Sequence, residues 1–249
     1  MEFQASKTPL ADILPFRALY LQETNFQVRY NATHERGWSD SYRLLIDGHT
    51  AGYASVKGRH EIPDRDDVFE CYIVPHYRQY THALFRQFLL ASGVRYITCQ
   101  SNDLFLSALL YEFSIHIKSE VILFDDFAVT TLTSDATFRP GSLEDEMFEH
   151  KSEPVGAYVL VLNKKVIATG GFLLHYNKPF ADLYMEVLED SRKQGYGSFL
   201  IQEIKKACYL AGRKPAARCN ITNPASKATL LRAGMRVCGY MLEGEIPNS

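Results

Sequence analysis

The sequence predicts a mixed α/β (α+β) protein made of two similar halves, each with a mostly antiparallel sheet flanked by helices. First, 46% of the 249 residues are hydrophobic, which is ample for one large or two ordinary domains. Second, residues 182–188 have strand character and lead through a glycine-containing turn into an amphipathic helical pattern. Third, a weaker copy of this order occurs in the first half. We therefore expect two domains, residues 1–124 and 125–249.

The predicted helix after the turn spans residues 198–211. Its apolar residues recur at helical spacing, at Leu200, Ile204, Cys208 and Ala211. Gly212 follows where a left-handed residue commonly ends a helix. The segment therefore has both the periodicity and the stop signal of a surface helix.

The turn before this helix is suited to an anion. Gly195 and Gly197 lack a Cβ, so the chain can turn sharply and its N–H groups can approach a phosphate closely. A phosphate there would also lie at the positive end of the helix dipole. The candidate phosphate-binding residues are Arg192, Lys193, Gln194, Gly195, Tyr196, Gly197 and Ser198. An ordinary strand-to-helix turn is the alternative; a dinucleotide fold would need G-x-G-x-x-G and a later acid, which are missing.

The turn resembles the central motif of the GNAT acetyltransferase superfamily, Gln/Arg-x-x-Gly-x-Gly/Ala after the fourth strand. The sequence matches it at Arg192, Gly195 and Gly197. The resemblance implies an acyl-CoA-dependent N-acyltransferase that uses acetyl-CoA as co-substrate and needs no metal. It further implies direct transfer of the acetyl group to a primary amine of a small molecule or an amino-acid-like acceptor.

A second segment, residues 216–226, fits the same family. It reads as a short strand followed by a helix, with Asn223 as N-cap and Pro224 at the first helical position. The resemblance implies that Asn220, Asn223 and Ser226 lie near the pantetheine arm of the coenzyme. Capping alone would also explain Asn223.

Amine acylation needs a base for the amine proton and a donor for the developing oxyanion. The resemblance implies that a backbone N–H at the strand end, of Val187 or Leu188, is that donor. Carboxylates on the same strand are the base candidates, Glu186 first and Asp182 second. A surface carboxylate paired with a lysine would look the same in sequence.

Many family members carry a tyrosine seven residues after the asparagine to protonate the leaving thiolate. This chain has Leu230 there. The general acid is therefore unassigned, with Tyr196, Tyr209 and Tyr240 as alternatives. A thiolate leaves tolerably well unaided, because the pKa of a free thiol is only about 8.5.

The first half resembles the second at two related offsets. Arg78 lies 114 positions before Arg192, and Cys99 lies 120 positions before Cys219. A predicted hairpin with an Asp47-Gly48 turn corresponds to another around residues 163–164. The halves are expected to join near residues 124–126.

The first copy lacks the glycines of the turn. Thr81 and Ala83 stand where Gly195 and Gly197 stand in the second copy. A Cβ at both positions narrows the anion site and disfavours positive φ. We expect only the second half to bind acyl-CoA, while the first half forms one wall of the substrate cleft or imitates the second subunit of a dimer.

The charge and composition restrict partners and location. A net charge of −2 gives no reason to expect nucleic acid or anionic lipid. We expect no signal peptide at the start, since its pattern does not fit one, and no run reaches membrane-spanning length. The five cysteines form no C-x-x-C pair. We expect a cytoplasmic monomer or homodimer without metal. Glu144, Asp145, Glu146 and Glu149 would suit a cationic acceptor, although a solvated helix face explains them better.

Two other functions stay open. One is a catalytically silent acyl-CoA-binding module, which the missing tyrosine favours. The other is an aminoacyl-tRNA-dependent transferase, which would be expected to show a basic surface and a coiled-coil arm.

Overall fold

The computed structural model describes residues 1–27 and 30–247. This part of the chain contains twelve strands and six α-helices. It folds into two compact units. The first holds residues 1–120 together with the chain from Tyr240 onward, and the second holds residues 121–239.

The first unit has a sheet with the strand order β1-β2-β3-β4-β5-β12. All neighbours are antiparallel except β4 and β5, which are parallel. Its elements are β1 (Phe3–Thr8), α1 (Leu10–Glu23), α2 (Tyr30–Glu35), β2 (Ser39–Ile46), β3 (His49–Lys57), β4 (Asp67–Ile73), a 3₁₀ helix (Pro75–Tyr80), α3 (Thr81–Ser92), β5 (Tyr96–Gln100), α4 (Leu104–Phe113), the start of β6 (Ile115–Asp126) and the end of β12 (Met235–Glu245).

The second unit has a sheet with the strand order β6-β11-β10-β9-β8-β7. Here β10 and β11 are the parallel pair, and the other neighbours are antiparallel. Its further elements are β7 (Thr137–Pro140), β8 (Tyr158–Leu162), β9 (Lys165–Leu173), β10 (Phe180–Val187), a 3₁₀ helix (Glu189–Ser191), α5 (Tyr196–Leu210), β11 (Lys214–Asn220) and α6 (Pro224–Arg232).

These sheets confirm the predicted fold class, a mixed α/β protein with a mostly antiparallel sheet flanked by helices. The structure adds an exchange of strands that the sequence pattern did not predict. The latter part of β6, which follows the first copy, pairs with β11, and the end of β12 pairs with β5. The expected boundary at residues 124/125 lies inside β6, and the first unit gives way to the second at residues 120/121.

The same hydrogen bond occurs at the ends of β4 and β10, between residues that are 114 positions apart in the two halves. Arg78 Nε donates to the carbonyl oxygen of Ile73 at 3.0 Å, and Arg192 Nε donates to that of Val187 at 3.0 Å. In both places the arginine folds back on the end of its strand. That each half is a GNAT-like copy stays a prediction, and this shared contact supports it.

The N-cap residues of α4 and α6, which are 120 positions apart, make the same hydrogen bond. The Asp103 side chain accepts from the Leu106 N–H, and the Asn223 side chain accepts from the Ser226 N–H, both at 3.0 Å. The predicted hairpins also match: residues 47, 48, 163 and 164 all have positive φ, from 48° to 79°. Positive φ at both central residues is the geometry of the tight hairpin turn.

A buried ionic network lies within the first unit. Glu70 on β4 is fully buried and accepts two bonds from the Arg17 guanidinium, at 2.9 Å (Nε) and 2.8 Å (Nη2). His34 Nε2 and the Tyr53 hydroxyl each lie 3.0 Å from the same carboxylate. Burial alone would raise the pKa of Glu70, but the bonds from His34 and Arg17 lower it to about 2. A buried charge of this kind is tolerated only with such partners.

Across residues 1–27 and 30–247, none of the helices combines the length and the apolar character needed to cross a membrane.

Candidate active site

The candidate site lies where two parallel strands of the second unit separate. β10 and β11 pair only from Phe180 and Lys214 to Asp182 and Ala216. Beyond that point β10 continues along β9, whereas β11 continues along β6. The rest of β10 therefore presents one open edge.

The direction of the N–H groups at the end of β10 favours one of the two predicted oxyanion donors. The Leu188 N–H donates to the carbonyl oxygen of Ile167 on β9 at 2.9 Å, so it is already used. Successive N–H groups along a strand point to opposite sides. The Val187 N–H therefore points to the open edge, and Val187 is the better of the two candidates.

The predicted anion turn forms at the N-terminus of α5. Gly195 has φ = 93°, in the left-handed region, as the sequence predicts. The Phe199 N–H makes the bond to the Gly195 carbonyl, so the N–H groups of residues 196–198 are left at the open helix end. These free donors point in the direction expected for a bound phosphate.

Gly197 is needed for space rather than for its backbone conformation. A Cβ there would lie 3.2 Å from Thr229 Cγ2 and 3.3 Å from Met185 Cε. The missing side chain thus lets α5 pack closely against α6 and β10. This differs from the prediction, which gave both glycines the same role.

Three cationic side chains surround the turn, and one was not predicted. Arg192 uses Nε on the Val187 carbonyl, while its Nη2 lies 3.9 Å from Glu186 Oε1. Lys193 is exposed and has φ = 62°. Arg232, the last residue of α6, places its guanidinium 3.6 Å from where a Gly195 Cβ would lie. The turn therefore combines open N–H groups with positive charge.

The second motif has the predicted elements, and its asparagines are engaged in local hydrogen bonds. Asn220 Oδ1 accepts from the Thr222 N–H at 2.9 Å and from the Thr222 hydroxyl at 2.6 Å. Asn223 Oδ1 accepts from the Ser226 N–H, as expected of an N-cap. These bonds account for Asn220 and Asn223 structurally, and their contact with a coenzyme stays a prediction.

A cavity of about 490 Å³ brings most of the predicted residues together. Predicted residues that line it are Glu186, Val187, Arg192, Lys193, Gly195, Tyr196, Gly197, Ser198, Asn223 and Ser226. Predicted residues outside its lining are Asp182, Leu188, Gln194 and Asn220. Lining residues that the sequence analysis missed are Ser152, Glu153, Met185, Ser191, Ala225, Ala228, Thr229 and Arg232.

Glu186, the first predicted base, is held as a carboxylate by backbone donors. It is 5% exposed and accepts from the N–H groups of Lys151, Ser152 and Glu153 at 3.0, 3.1 and 3.0 Å. Burial opposes its ionisation, yet these bonds, with one from the Ser152 hydroxyl, lower its pKa to about 2. A carboxylate with so low a pKa is a weak proton acceptor at neutral pH. Its role as base stays a prediction, and its contacts favour a structural role.

Glu153 lines the same cavity, and its pKa is shifted in the opposite direction from that of Glu186. Its side chain is solvent-accessible, and partial desolvation, with the charges of Asp182 and Glu186, raises its pKa. A raised carboxyl pKa brings a base nearer to neutral pH, where proton transfer is effective. No local sequence signal marks this residue, because only the fold brings residue 153 beside a strand that starts 27 positions later.

Asp182, the second predicted base, marks the point where β10 and β11 separate. Its carboxylate is mostly buried and lies 3.0 Å from His175 Nε2 and 3.6 Å from Arg218 Nε. It therefore belongs to a small polar cluster on the face of β10 that also carries Tyr184 and Glu186.

Two of the three alternative general acids are occupied elsewhere, and the third, Tyr240, belongs to the first unit. The buried Tyr196 hydroxyl donates to Asp135 at 3.1 Å, and Tyr209 donates to Asp126 at 2.5 Å. Desolvation, together with these carboxylates, raises the pKa of both. Leu230 is 3% exposed and packs in the core of the second unit. The acid therefore stays unassigned.

The corresponding turn of the first unit has a different backbone. Residues 75–80 form a 3₁₀ helix that runs directly into α3, and Thr81 has φ = −51° in place of the positive φ of Gly195. The Thr81 hydroxyl donates to the Arg78 carbonyl at 2.7 Å. An ordinary right-handed conformation here leaves no glycine-lined anion turn.

The acidic cluster after β7 is partly structural. Asp145 pairs with both terminal nitrogens of Arg139 and accepts from the Ser142 N–H at 2.7 Å. The Arg139 bonds, helped by Ser142, lower the pKa of Asp145 to about 2. Its charge is thus already balanced, which weakens the case for an acceptor role.

Comparison with known families agrees with this geometry. Residues 124–235 match the family model described as the acetyltransferase (GNAT) family. Residues 124–235 form a GNAT-family domain. No curated protein matches the chain.

Solved structures of similar fold cover almost the whole chain. A GNAT-family acetyltransferase from Colwellia psychrerythraea has a TM-score of 0.76 at 14% identity, with 99% of this chain and 100% of that one covered. A GCN5-related N-acetyltransferase from Sphaerobacter thermophilus has a TM-score of 0.58 at 13% identity, covering 99% and 97%. A tandem GNAT protein from the clavulanic acid biosynthesis pathway has 0.58 at 12%, covering 100% of both chains. At these identities the likeness shows the fold.

Proposed function

We propose that the protein is an acyl-CoA-dependent N-acyltransferase that transfers an acetyl group from acetyl-CoA to a primary amine of a small, amino-acid-like acceptor. The observation that carries this is the cavity at the open edge of β10, next to a Gly195 turn with free N–H groups and three cations. The family in general uses acetyl-CoA, and the donors present suit its diphosphate.

Acetyl-CoA supplies the acyl group as a thioester. The residues 195–198 and the side chains of Lys193 and Arg232 would hold its phosphates. The Val187 N–H, at the open edge, would donate to the carbonyl oxygen as negative charge develops there. Glu153 would take the proton from the attacking amine as the C–N bond forms. The thioester C–S bond then breaks, and coenzyme A leaves as a thiolate.

The test is binding followed by turnover. Acetyl-CoA should raise the melting temperature of the protein and bind measurably in calorimetry. Thiol release should then be followed with a panel of small amines and amino acids. Stabilisation without turnover would support the silent acyl-CoA-binding module, which Leu230 at the usual tyrosine position favours. Absence of any response to acyl-CoA would contradict the proposal.

Glu153→Gln tests the base. Loss of a general base typically lowers the rate about 10²-fold to 10⁴-fold. The pKa of Glu153 is raised, so kcat/KM of the wild type should fall more steeply as pH decreases through that pKa than protonation of the amine alone would cause. This additional fall should be absent in the variant. Acetyl-CoA affinity should be unchanged. A variant that keeps the wild-type rate and pH profile would exclude Glu153 as the base.

We also propose that residues 1–124 form a degenerate copy that does not bind acyl-CoA, in a cytoplasmic protein that acts as a monomer or homodimer. The right-handed conformation of Thr81 and the Cβ of Ala83 support the first part.

A further inference from the structure

A segment without regular secondary structure crosses the polar face of β9 and β10. We call residues 150–156 the strap. Both of its ends contact Thr169: His150 Nε2 lies 2.7 Å from Thr169 Oγ1, and the Gly156 N–H donates to the same oxygen at 3.2 Å. Gly156 sits so close to the sheet that a Cβ would overlap the backbone of Gly170.

The backbone in the middle of the strap is held by the side chain of Glu186. The Glu186 carboxylate accepts from three consecutive N–H groups and from the Ser152 hydroxyl. Glu186 and Thr169 are direct cross-strand partners, so one residue pair anchors the whole strap. Backbone N–H bonds to a buried carboxylate are strong, and their loss would leave the charge without compensation.

The strap also carries Glu153, whose own N–H is one of the three donors. We propose that Glu186 is a positioning residue: its carboxylate clamps the strap to β10 and thereby holds Glu153 on the acyl-transfer cavity. This inference rests on the proposed function and deepens it. It replaces direct proton transfer by Glu186 with a role exerted through Glu153.

Glu186→Gln is the variant that tests the clamp, because a neutral amide has one acceptor oxygen and its NH₂ group opposes the strap donors. Amide hydrogen exchange of residues 151–153 should become faster. Acetyl-CoA affinity should stay close to wild type, while kcat/KM for the acceptor falls roughly 10-fold to 100-fold, as expected for a displaced catalytic group. Glu189→Gln is the matched control, since Glu189 pairs with Lys151 of the same strap at 2.8 Å but both side chains are about two-thirds exposed. The control should leave exchange and activity unchanged.

A second readout distinguishes positioning from general loss of order. The titratable groups that face Glu153 are Asp182, Tyr184 and Glu186 of β10, and Arg192 faces Glu186. Removing the Glu186 charge should lower the pKa of Glu153, observed by carboxyl NMR titration, and should move the acid limb of the pH–rate profile to lower pH. Glu186→Asp keeps the charge but shortens the reach; exchange should quicken without this shift in pKa. Glu186→Asp serves as the test of the clamp if Glu186→Gln does not fold.

A double-mutant cycle tests whether Glu186 acts through Glu153. If Glu186 acts through Glu153, the rate of Glu153→Gln/Glu186→Gln should equal that of Glu153→Gln alone. Full additivity, or a rate loss in Glu186→Gln with wild-type exchange at residues 151–153, would overturn the inference and restore Glu186 as a base. Failure of the proposed function itself would look different, because the wild type would then release no thiol with any amine, whether or not it bound acetyl-CoA.

Discussion

At the scale of single residues, the conformation of the turn depends on Gly195, because its φ of 93° is poorly accessible to any residue with a Cβ. Gly195→Val should weaken acetyl-CoA binding by at least roughly tenfold, since strain of about 1–3 kcal/mol is relieved by rearranging the turn. Isothermal calorimetry measures this change. Gly212→Ala is the matched control: it has φ = 68° at the other end of α5 with open space around it. Equal losses of affinity in both variants would contradict a specific role for the turn.

Arg232 provides a second test at the residue scale. Its guanidinium lies beside Gly195, so Arg232→Gln should raise the Kd for acetyl-CoA by about tenfold or more, the usual effect of losing a charge-assisted hydrogen bond. If the contact is to the diphosphate, 3′-dephospho-acetyl-CoA should lose the same factor; if it is to the 3′-phosphate, that analogue should bind both proteins alike. Arg236→Gln, which removes a surface pair with Asp125, is the control. Unchanged affinity for acetyl-CoA would exclude Arg232 from the site.

Sequence patterns could predict the backbone of this site better than its side-chain partners. Gly195 and Asn223 were predictable because a turn and a cap each require particular residue types locally. Arg232 was within reach too, since it follows Ala225, Ala228 and Thr229 on one face of α6 at helical spacing. Glu153 was not, because its position depends on how the strap lies across the sheet.

At the scale of elements, periodicity predicted strands and helices well but could not show which strands pair. The offsets of 114 and 120 residues align β4 with β10 and α4 with α6, and the arginine and N-cap bonds recur at these offsets. That alignment could not show the exchange of β6 and β12. A strand has the same sequence pattern whichever sheet it joins, and only the strand that it pairs with differs. Strand pairing is decided by contacts distant in sequence.

The ionic network between α1 and β4 gives a prediction at this scale. Arg17→Met should lower the free energy of unfolding by about 3–5 kcal/mol, because it leaves the buried Glu70 carboxylate with one partner fewer. Urea unfolding measures this. Arg95→Met, which removes an exposed pair with Asp66, should cost at most about 1 kcal/mol.

The same network has a defined pH dependence. The pKa of Glu70 is lowered to about 2 in the folded state from an ordinary value of 4.5, so its contribution to stability is full above about pH 4.5. It should disappear as pH falls towards 2. The difference in stability between wild type and Arg17→Met should therefore shrink across this range. A difference that stays constant down to pH 2 would show that Arg17 stabilises by packing rather than by charge.

At the scale of the whole molecule, the two units share the order of their elements from β2 and from β8 onward, which raises the question of how many coenzymes bind. We expect one equivalent of acetyl-CoA per chain, because Thr81 is right-handed where Gly195 is left-handed and α3 continues the preceding 3₁₀ helix without a break. Calorimetric stoichiometry on the full chain measures this directly. The full chain is required, since a cut at residues 124/125 would sever β6. Gly195→Val should weaken the single binding event at least roughly tenfold, whereas Thr81→Val should leave it unchanged. Two equivalents in the wild type, or one equivalent of wild-type affinity in Gly195→Val, would show that the first unit binds coenzyme as well.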